Sequence, residues 1–195
     1  VPAQHHDPKA GGQYLSMSDA HGCTVLITGA SGAIGTALAS EYARPGTRLA
    51  LQGRNGARLQ QLASSCRAKG AETVIGQFDI TDEKALRDWV AQVQRDGRID
   101  LLIVNAGIST NTQQTPQGED WSTVSLLLDV NLKAALATID AVLPGMRRRG
   151  EGQLALISSI SAWFGLGITP SYCASKAGLK AYGEALRTWL APEGI

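Results

Sequence analysis

A phenol and an ammonium stand four residues apart near the end of the chain: Tyr172 and Lys176, in a stretch that opens on Ser159 and runs through Thr169-Pro170. At that spacing on a helix, two side chains share a face and can converge on one point. Two unit charges about 5 Å apart at an effective dielectric near 20 interact by about 3 kcal/mol. That is enough to make the phenol more acidic and let it give and take a proton near neutral pH. Ser159 can supply a hydroxyl that orients a carbonyl or alcohol oxygen. A tyrosine four residues before a lysine also arises by chance, so the reading rests on the elements that must position the pair.

Those elements are legible. Leu154 to Ile157 is an apolar run bounded by Gly152 and by Ser158-Ser159, and reads as a buried strand that delivers Ser159 at its end. Pro170 is suited to a helix entry, where its missing N–H has no partner anyway, so Tyr172 and Lys176 fall on the helix that follows. Further back, Val25 to Ile27 forms a short strand. It leads into Thr28-Gly29-Ala30-Ser31-Gly32-Ala33-Ile34-Gly35, and helical spacing resumes from Thr36 to Tyr42. A glycine-rich turn between strand and helix lets backbone N–H groups and the helix N-terminus face a pyrophosphate. Gly29 suits the tight turn, and Gly35 allows the helix to pack on the strand.

A second strand, Leu49 to Leu51, ends at Gln52-Gly53-Arg54-Asn55. Dinucleotide folds read the adenosine ribose at this place. No acidic residue stands there to favour a free 2′-hydroxyl, whereas the Arg54 guanidinium suits a phosphate, so NADP(H) is expected over NAD(H), with NAD(H) still open. Ala57 to Lys69 reads as a polar amphipathic helix closed by Gly70, and Thr73 to Phe78 as a third strand. Asp79 follows, before the N-cap pattern Thr81-Asp82-Glu83-Lys84, and either bonds the adenine amino group or serves the helix start. Ile99 to Val104 is the fourth strand, ended by Asn105-Ala106-Gly107. Small residues there let a nicotinamide ribose lie against the backbone, and Asn105 can tie two strand ends together. A polar loop, Asn111 to Gly118, precedes a long helical region from Trp121 to Arg149, with an interruption expected near Pro144-Gly145. Asn131 is unfavourable in mid-helix without a partner, so it either bonds backbone or holds a water in the active site.

Strands alternating with amphipathic helices predict an α/β fold: a doubly wound parallel sheet of order 3-2-1-4-5 with helices on both faces. The turn from Gly29 to Gly35, then Arg54, Asp79, Asn105 and Ser159, each follow directly on one of five successive strands. In such sheets ligands bind beyond the carboxyl ends of the strands.

These motifs resemble the short-chain dehydrogenase/reductase family over about Cys23 to Ile195. The resemblance implies a catalytic tetrad of Asn131, Ser159, Tyr172 and Lys176. Tyr172 would be the general acid/base, Ser159 would fix the substrate oxygen, and Lys176 would activate the tyrosine and hold the nicotinamide ribose. Asn131 would keep the water that relays protons to the lysine. The implied cofactor contacts are Thr28, Gly29, Ser31, Gly32, Ile34 and Gly35 in the turn, then Arg54, Asp79, Asn105, Ala106 and Gly107, with Tyr172 and Lys176. Ala33 stands where single-domain members usually carry the middle glycine, so the turn also fits the form found in extended, nucleotide-sugar-modifying members. Asn105-Ala106-Gly107 argues for the single-domain branch. Family members continue into a sixth strand, a substrate loop and a seventh strand, so the domain from residue 23 to 195 is expected to be incomplete. A homodimer or homotetramer follows by resemblance only.

The rest of the chain is consistent with one such domain. It has 195 residues, 18 Lys plus Arg against 17 Asp plus Glu, and a mean hydropathy near zero, which points to neither nucleic acid nor membrane as partner. Cys23, Cys66 and Cys173 are widely spaced without a CxxC pair, and read as reduced, buried thiols of a cytoplasmic protein rather than zinc ligands. Val1 to Ser16 is polar and precedes Met17, so residues 1–22 are expected to be a disordered or non-native leader in which His5 and His6 are solvated. The expected activity is hydride transfer between NADP(H) and a small carbonyl or secondary alcohol. A nucleotide-sugar epimerase or dehydratase and a non-catalytic dinucleotide-binding protein are the alternatives.

Overall fold

Five short apolar segments pair into one parallel sheet in a computed structural model that describes residues 22–109 and 118–195. The expected leader up to residue 21, with His5, His6 and Met17, and all of the polar loop from Asn111 but Gly118 lie outside the described residues. The strands are β1 (Thr24–Ile27), β2 (Arg48–Gly53), β3 (Glu72–Gln77), β4 (Leu101–Val104) and β5 (Gln153–Leu156), in the order β3-β2-β1-β4-β5. The helices between them are α1 (Ala33–Tyr42), α2 (Gly56–Ala68), α3 (Glu83–Arg95), α4 (Trp121–Leu128), α5 (Ala134–Arg149) and α6 (Pro170–Leu190). None of the described helices is long and apolar enough to cross a membrane.

The central strands β1 and β4 are buried throughout because both sheet faces are covered there. Val25, Ile27, Leu49, Leu51, Leu101 and Ile103 point to one face, where they pack with Leu59, Leu62, Ala63 and Cys66 of α2. Their neighbours Leu26, Ala50, Leu102 and Val104 point to the other, against Leu86 and Val90 of α3, Ile139 and Met146 of α5, and Leu179 of α6. Register follows this alternation: Leu26 lies beside Ala50 on one side and Leu102 on the other. The three cysteines are free and buried, and burial pushes the Cys23 and Cys66 thiols up.

One expectation about the long helical region is corrected. The chain does not break at Pro144-Gly145, since α5 runs through both. Pro144 is exposed, as is Asp140 four residues earlier, whose carbonyl loses its partner to the proline; water on that face can satisfy it. The departure from α geometry comes earlier, as a π-helical turn over Asp129–Lys133 that joins α4 to α5. Such turns occur mostly as single insertions in α-helices, frequently at functional sites. Asn131 sits in the middle of this one.

Candidate active site

The carboxyl ends of β1, β2 and β4 border a cavity of about 750 Å³ whose wall includes Gly29, Ser31, Gly32 and Ile34 from the first turn. Arg54 and Asp79 stand on one side of it and Asn105, Ala106 and Gly107 on the other. Nine residues expected at a cofactor are thereby brought to one space. Thr28 and Gly35 stand behind that wall and act by shaping it. A Cβ on Gly35 would collide with Gly29 O and lie 2.7 Å from Ala30 Cα, so α1 can approach β1 this closely only at a glycine. Gly29 has φ +64°, and a Cβ there would meet Ala106 Cα at 2.8 Å.

Thr28 and Asn105 lock the first turn to the end of β4. Thr28 Oγ1 accepts from the backbone N–H groups of Asn105 and Ala106, both at 3.0 Å. Asn105 Nδ2 donates in return to Thr28 O at 3.0 Å and Gly29 O at 3.1 Å. The turn's own donors divide into two groups. Thr28, Gly29, Ala30 and Gly32 N–H are bonded within the protein, while Ser31, Ala33 and Ile34 N–H have no partner among the described residues. Free amide donors at the start of α1, in a cradle that only glycines permit, fit a dinucleotide's pyrophosphate.

At the other end of the cavity, Arg54 Nη1 lies 3.5 Å from Asp79 Oδ2, with both side chains well exposed. The second oxygen of Asp79 accepts from Thr81 N at 3.0 Å and Thr81 Oγ1 at 2.8 Å. The Thr81 backbone bond leads in holding the Asp79 carboxyl below its ordinary range, with the Arg54 charge adding to it. Both readings of Asp79 survive, because it supports the turn before α3 and also faces the cavity.

None of the four residues expected as a tetrad lines this cavity, but Asn131 and Lys176 approach its wall at Gly107. Lys176 is 4% exposed, and a Cβ on Gly107 would lie 3.5 Å from its Nζ. That ammonium donates to Ile157 O at 2.8 Å and stands 5.9 Å from the centroid of the Tyr172 ring, so the two side chains do share a face. Burial pulls the Lys176 ammonium below its ordinary value. Ser158 Oγ donates to Lys176 O at 3.2 Å, which staples the end of β5 to α6 and carries Ser159 with it. Ser159 Oγ accepts from Ser161 N at 3.1 Å and donates to Ser161 Oγ at 3.2 Å, opening a 3₁₀ turn over Ile160–Ala162. Asn131, fully buried, bonds backbone: its Oδ1 accepts from Ile108 N at 2.7 Å and its Nδ2 donates to Ile108 O at 2.8 Å. The second amide hydrogen goes to Ser175 Oγ at 3.1 Å, and that hydroxyl donates to Tyr172 O at 2.8 Å.

The family model for short chain dehydrogenases matches residues 23–195. The chain belongs to that family. It is 37% identical over 180 residues to the (2S)-[(R)-hydroxy(phenyl)methyl]succinyl-CoA dehydrogenase subunit BbsC of Thauera aromatica, an alignment covering 91% of this chain and 70% of the relative. An NAD⁺-bound xylitol dehydrogenase superposes with a TM-score of 0.83 at 32% identity, over 90% of this chain and 68% of the other. A metagenomic short-chain oxidoreductase in complex with NADP gives 0.82 at 26% identity, over 89% and 79%. The protein is therefore an NAD(P)-dependent dehydrogenase or reductase with the Rossmann-type sheet of its relatives.

Two residues of this short-chain dehydrogenase escaped the reading of its sequence. Gln52, only 1% exposed, accepts from Gly29 N at 3.2 Å and donates to Phe78 O at 2.9 Å, holding the ends of β1, β2 and β3 in step. An amide in the apolar run of β2 was the available signal. Arg58 joins Arg54 on the cavity wall from the first turn of α2.

Proposed function

We propose that this enzyme interconverts a small carbonyl compound and its secondary alcohol with NADP(H), using Tyr172 as general acid/base. The observation that carries this reading is the nearly buried Lys176 ammonium, beside the Gly107 end of the cavity and one helical turn from Tyr172. When bound, the nicotinamide supplies or accepts the hydride. In the direction of reduction, Tyr172 Oη gives its proton to the substrate oxygen, and the positive charge of Lys176 stabilises the phenolate left behind. Ser159 Oγ, half-buried at the end of β5, holds the substrate oxygen through its hydroxyl. Lys176 keeps ammonium hydrogens beyond its bond to Ile157 O, suited to ribose hydroxyls next to Gly107. Asn131 fixes the backbone of Ile108 and, through Ser175, the first turn of α6.

The preference for NADP(H) is supported by two guanidinium groups, Arg54 and Arg58, on the cavity wall beside Ser31 and Gly53, with no carboxylate at the end of β2. Exposed Trp121 and Leu126 on α4 support a homodimer or homotetramer, and the free thiols suit the cytoplasm.

The test is Tyr172→Phe, measured with NADPH and a broad panel of aldehydes and ketones. We expect turnover to fall by about a hundredfold or more while NADPH binding, followed by its fluorescence, stays within about threefold. Undiminished reduction by the phenylalanine variant would end this assignment. NADPH binding by the parent chain with no carbonyl reduced would favour a non-catalytic binding protein instead.

A further inference from the structure

Helix α6 carries both Tyr172 and Lys176, and its first turn is capped from outside. Thr169 holds the N-cap position with φ −160° and ψ 62°, but its side chain makes no capping bond, and its buried hydroxyl has no hydrogen-bond partner among the described residues. Pro170 has no N–H to satisfy, and Cys173 N–H bonds Thr169 O at 3.1 Å. The acceptor missing from Thr169 comes from Glu119, 52 residues before Ser171. Its Oε2 accepts from Ser171 N at 2.9 Å and its Oε1 from Ser171 Oγ at 2.6 Å. A carboxylate at this place also complements the positive end of a 21-residue helix. The adjacent Asp120 does the ordinary local task, capping α4 through Ser122 N and Thr123 N. Two consecutive acidic residues thus cap two different helices.

We propose that Glu119 is a positioning residue for the reaction: by clamping Ser171 it fixes the first turn of α6 and so the direction of the Tyr172 side chain. The proposal rests on Tyr172 as the acid/base. Tyr172 is the third residue of the helix, inside the turn that frays first when an N-terminus lacks a cap. Its carbonyl is already held by Ser175, which Asn131 anchors in turn, so the Glu119 clamp secures the side of the turn that this chain of bonds leaves open. Glu119 is not part of the cavity wall, so its removal should act on orientation of the phenol and leave cofactor affinity alone.

The experiment compares the parent chain with Glu119→Ala, Glu119→Gln and Ser171→Ala. Amide exchange at Ser171 is read by NMR, and kcat and KM are measured with NADPH and the panel carbonyl that the parent reduces fastest. In Glu119→Ala we expect Ser171 exchange to quicken about tenfold and kcat to fall about tenfold, with KM for NADPH within about twofold. Glu119→Gln keeps an acceptor for Ser171 N and should restore most of both. Ser171→Ala removes only the hydroxyl half of the clamp and should fall between, which keeps the test usable if the alanine variant at 119 folds poorly. Unchanged Ser171 exchange in Glu119→Ala overturns the cap, and faster exchange with unchanged kcat overturns the positioning role. A parent chain that reduces nothing, yet loses slow Ser171 exchange on Glu119→Ala, would instead overturn the reductase reading while the cap stands.

Discussion

At the scale of single residues, the site depends on charges whose surroundings differ sharply. Lys176 is buried with its ammonium below the ordinary value of 10.5, so between its lowered native value and 10.5 the unfolded chain holds a proton that the folded chain has released. Stability contributed through Lys176 therefore rises with pH across that window. Cys23 and Cys66 act in the opposite sense above their ordinary value of 9.0, because burial makes the folded chain hold their protons longer. Urea midpoints from pH 7 to 10 for parent and Lys176→Met separate the two: the thiol effect is common to both, so the variant's advantage over the parent should shrink as pH rises. A constant difference would show that burial of the ammonium has no bearing on folding. Arg54 lies at the other extreme, exposed and paired with Asp79 at 3.5 Å. Arg54→Ala is expected to lower kcat/KM for NADPH about tenfold while NADH changes little, and an unchanged ratio of the two would remove Arg54 from cofactor choice.

Elements explain which parts of the site could be read in advance. Each strand contains a short apolar segment, and Gly29, Arg54, Asp79, Asn105 and Ser159 follow within a few residues of the strand ends, which made their places legible. Partners supplied across the fold gave no such signal: Glu119 to Ser171 spans 52 residues, and nothing near either one marks the pairing. The π turn was also hidden, because Pro144 is the louder local disturbance and solvent on its exposed face accommodates it. Two predictions belong here. In Gly35→Ala the new methyl would lie 2.7 Å from Ala30 Cα, so α1 must move off β1. NADPH titration should show at least about tenfold weaker binding with the far-ultraviolet dichroism retained. At the start of α4, bonds from Ser122 and Thr123 hold the Asp120 carboxyl at about 2. Its stabilising effect is present above the ordinary carboxylate value of 3.8 and is lost as pH falls through about 2. Asp120→Asn should flatten acid unfolding between those limits, and an unaltered acid profile would show that the cap does not matter to folding.

For the whole molecule, one sheet separates two cores, and both depend on the same strands. Leu102 is fully buried in the layer beneath α3, α5 and α6, while its neighbours Leu101 and Ile103 belong to the layer beneath α2. Leu102→Ala should cost about 2–5 kcal/mol and lower the unfolding midpoint seen by tryptophan fluorescence and by dichroism alike. Two separated transitions would mean that the layers melt independently. The π turn has a consequence at this scale too. It slips the helical phase between α4 and α5, so a single helical wheel drawn through residues 121–149 smears what are two separate apolar stripes. Deleting one residue there would restore a single α-helical period through 121–149 and remove the widened turn from which the Asn131 amide now grips the backbone of Ile108.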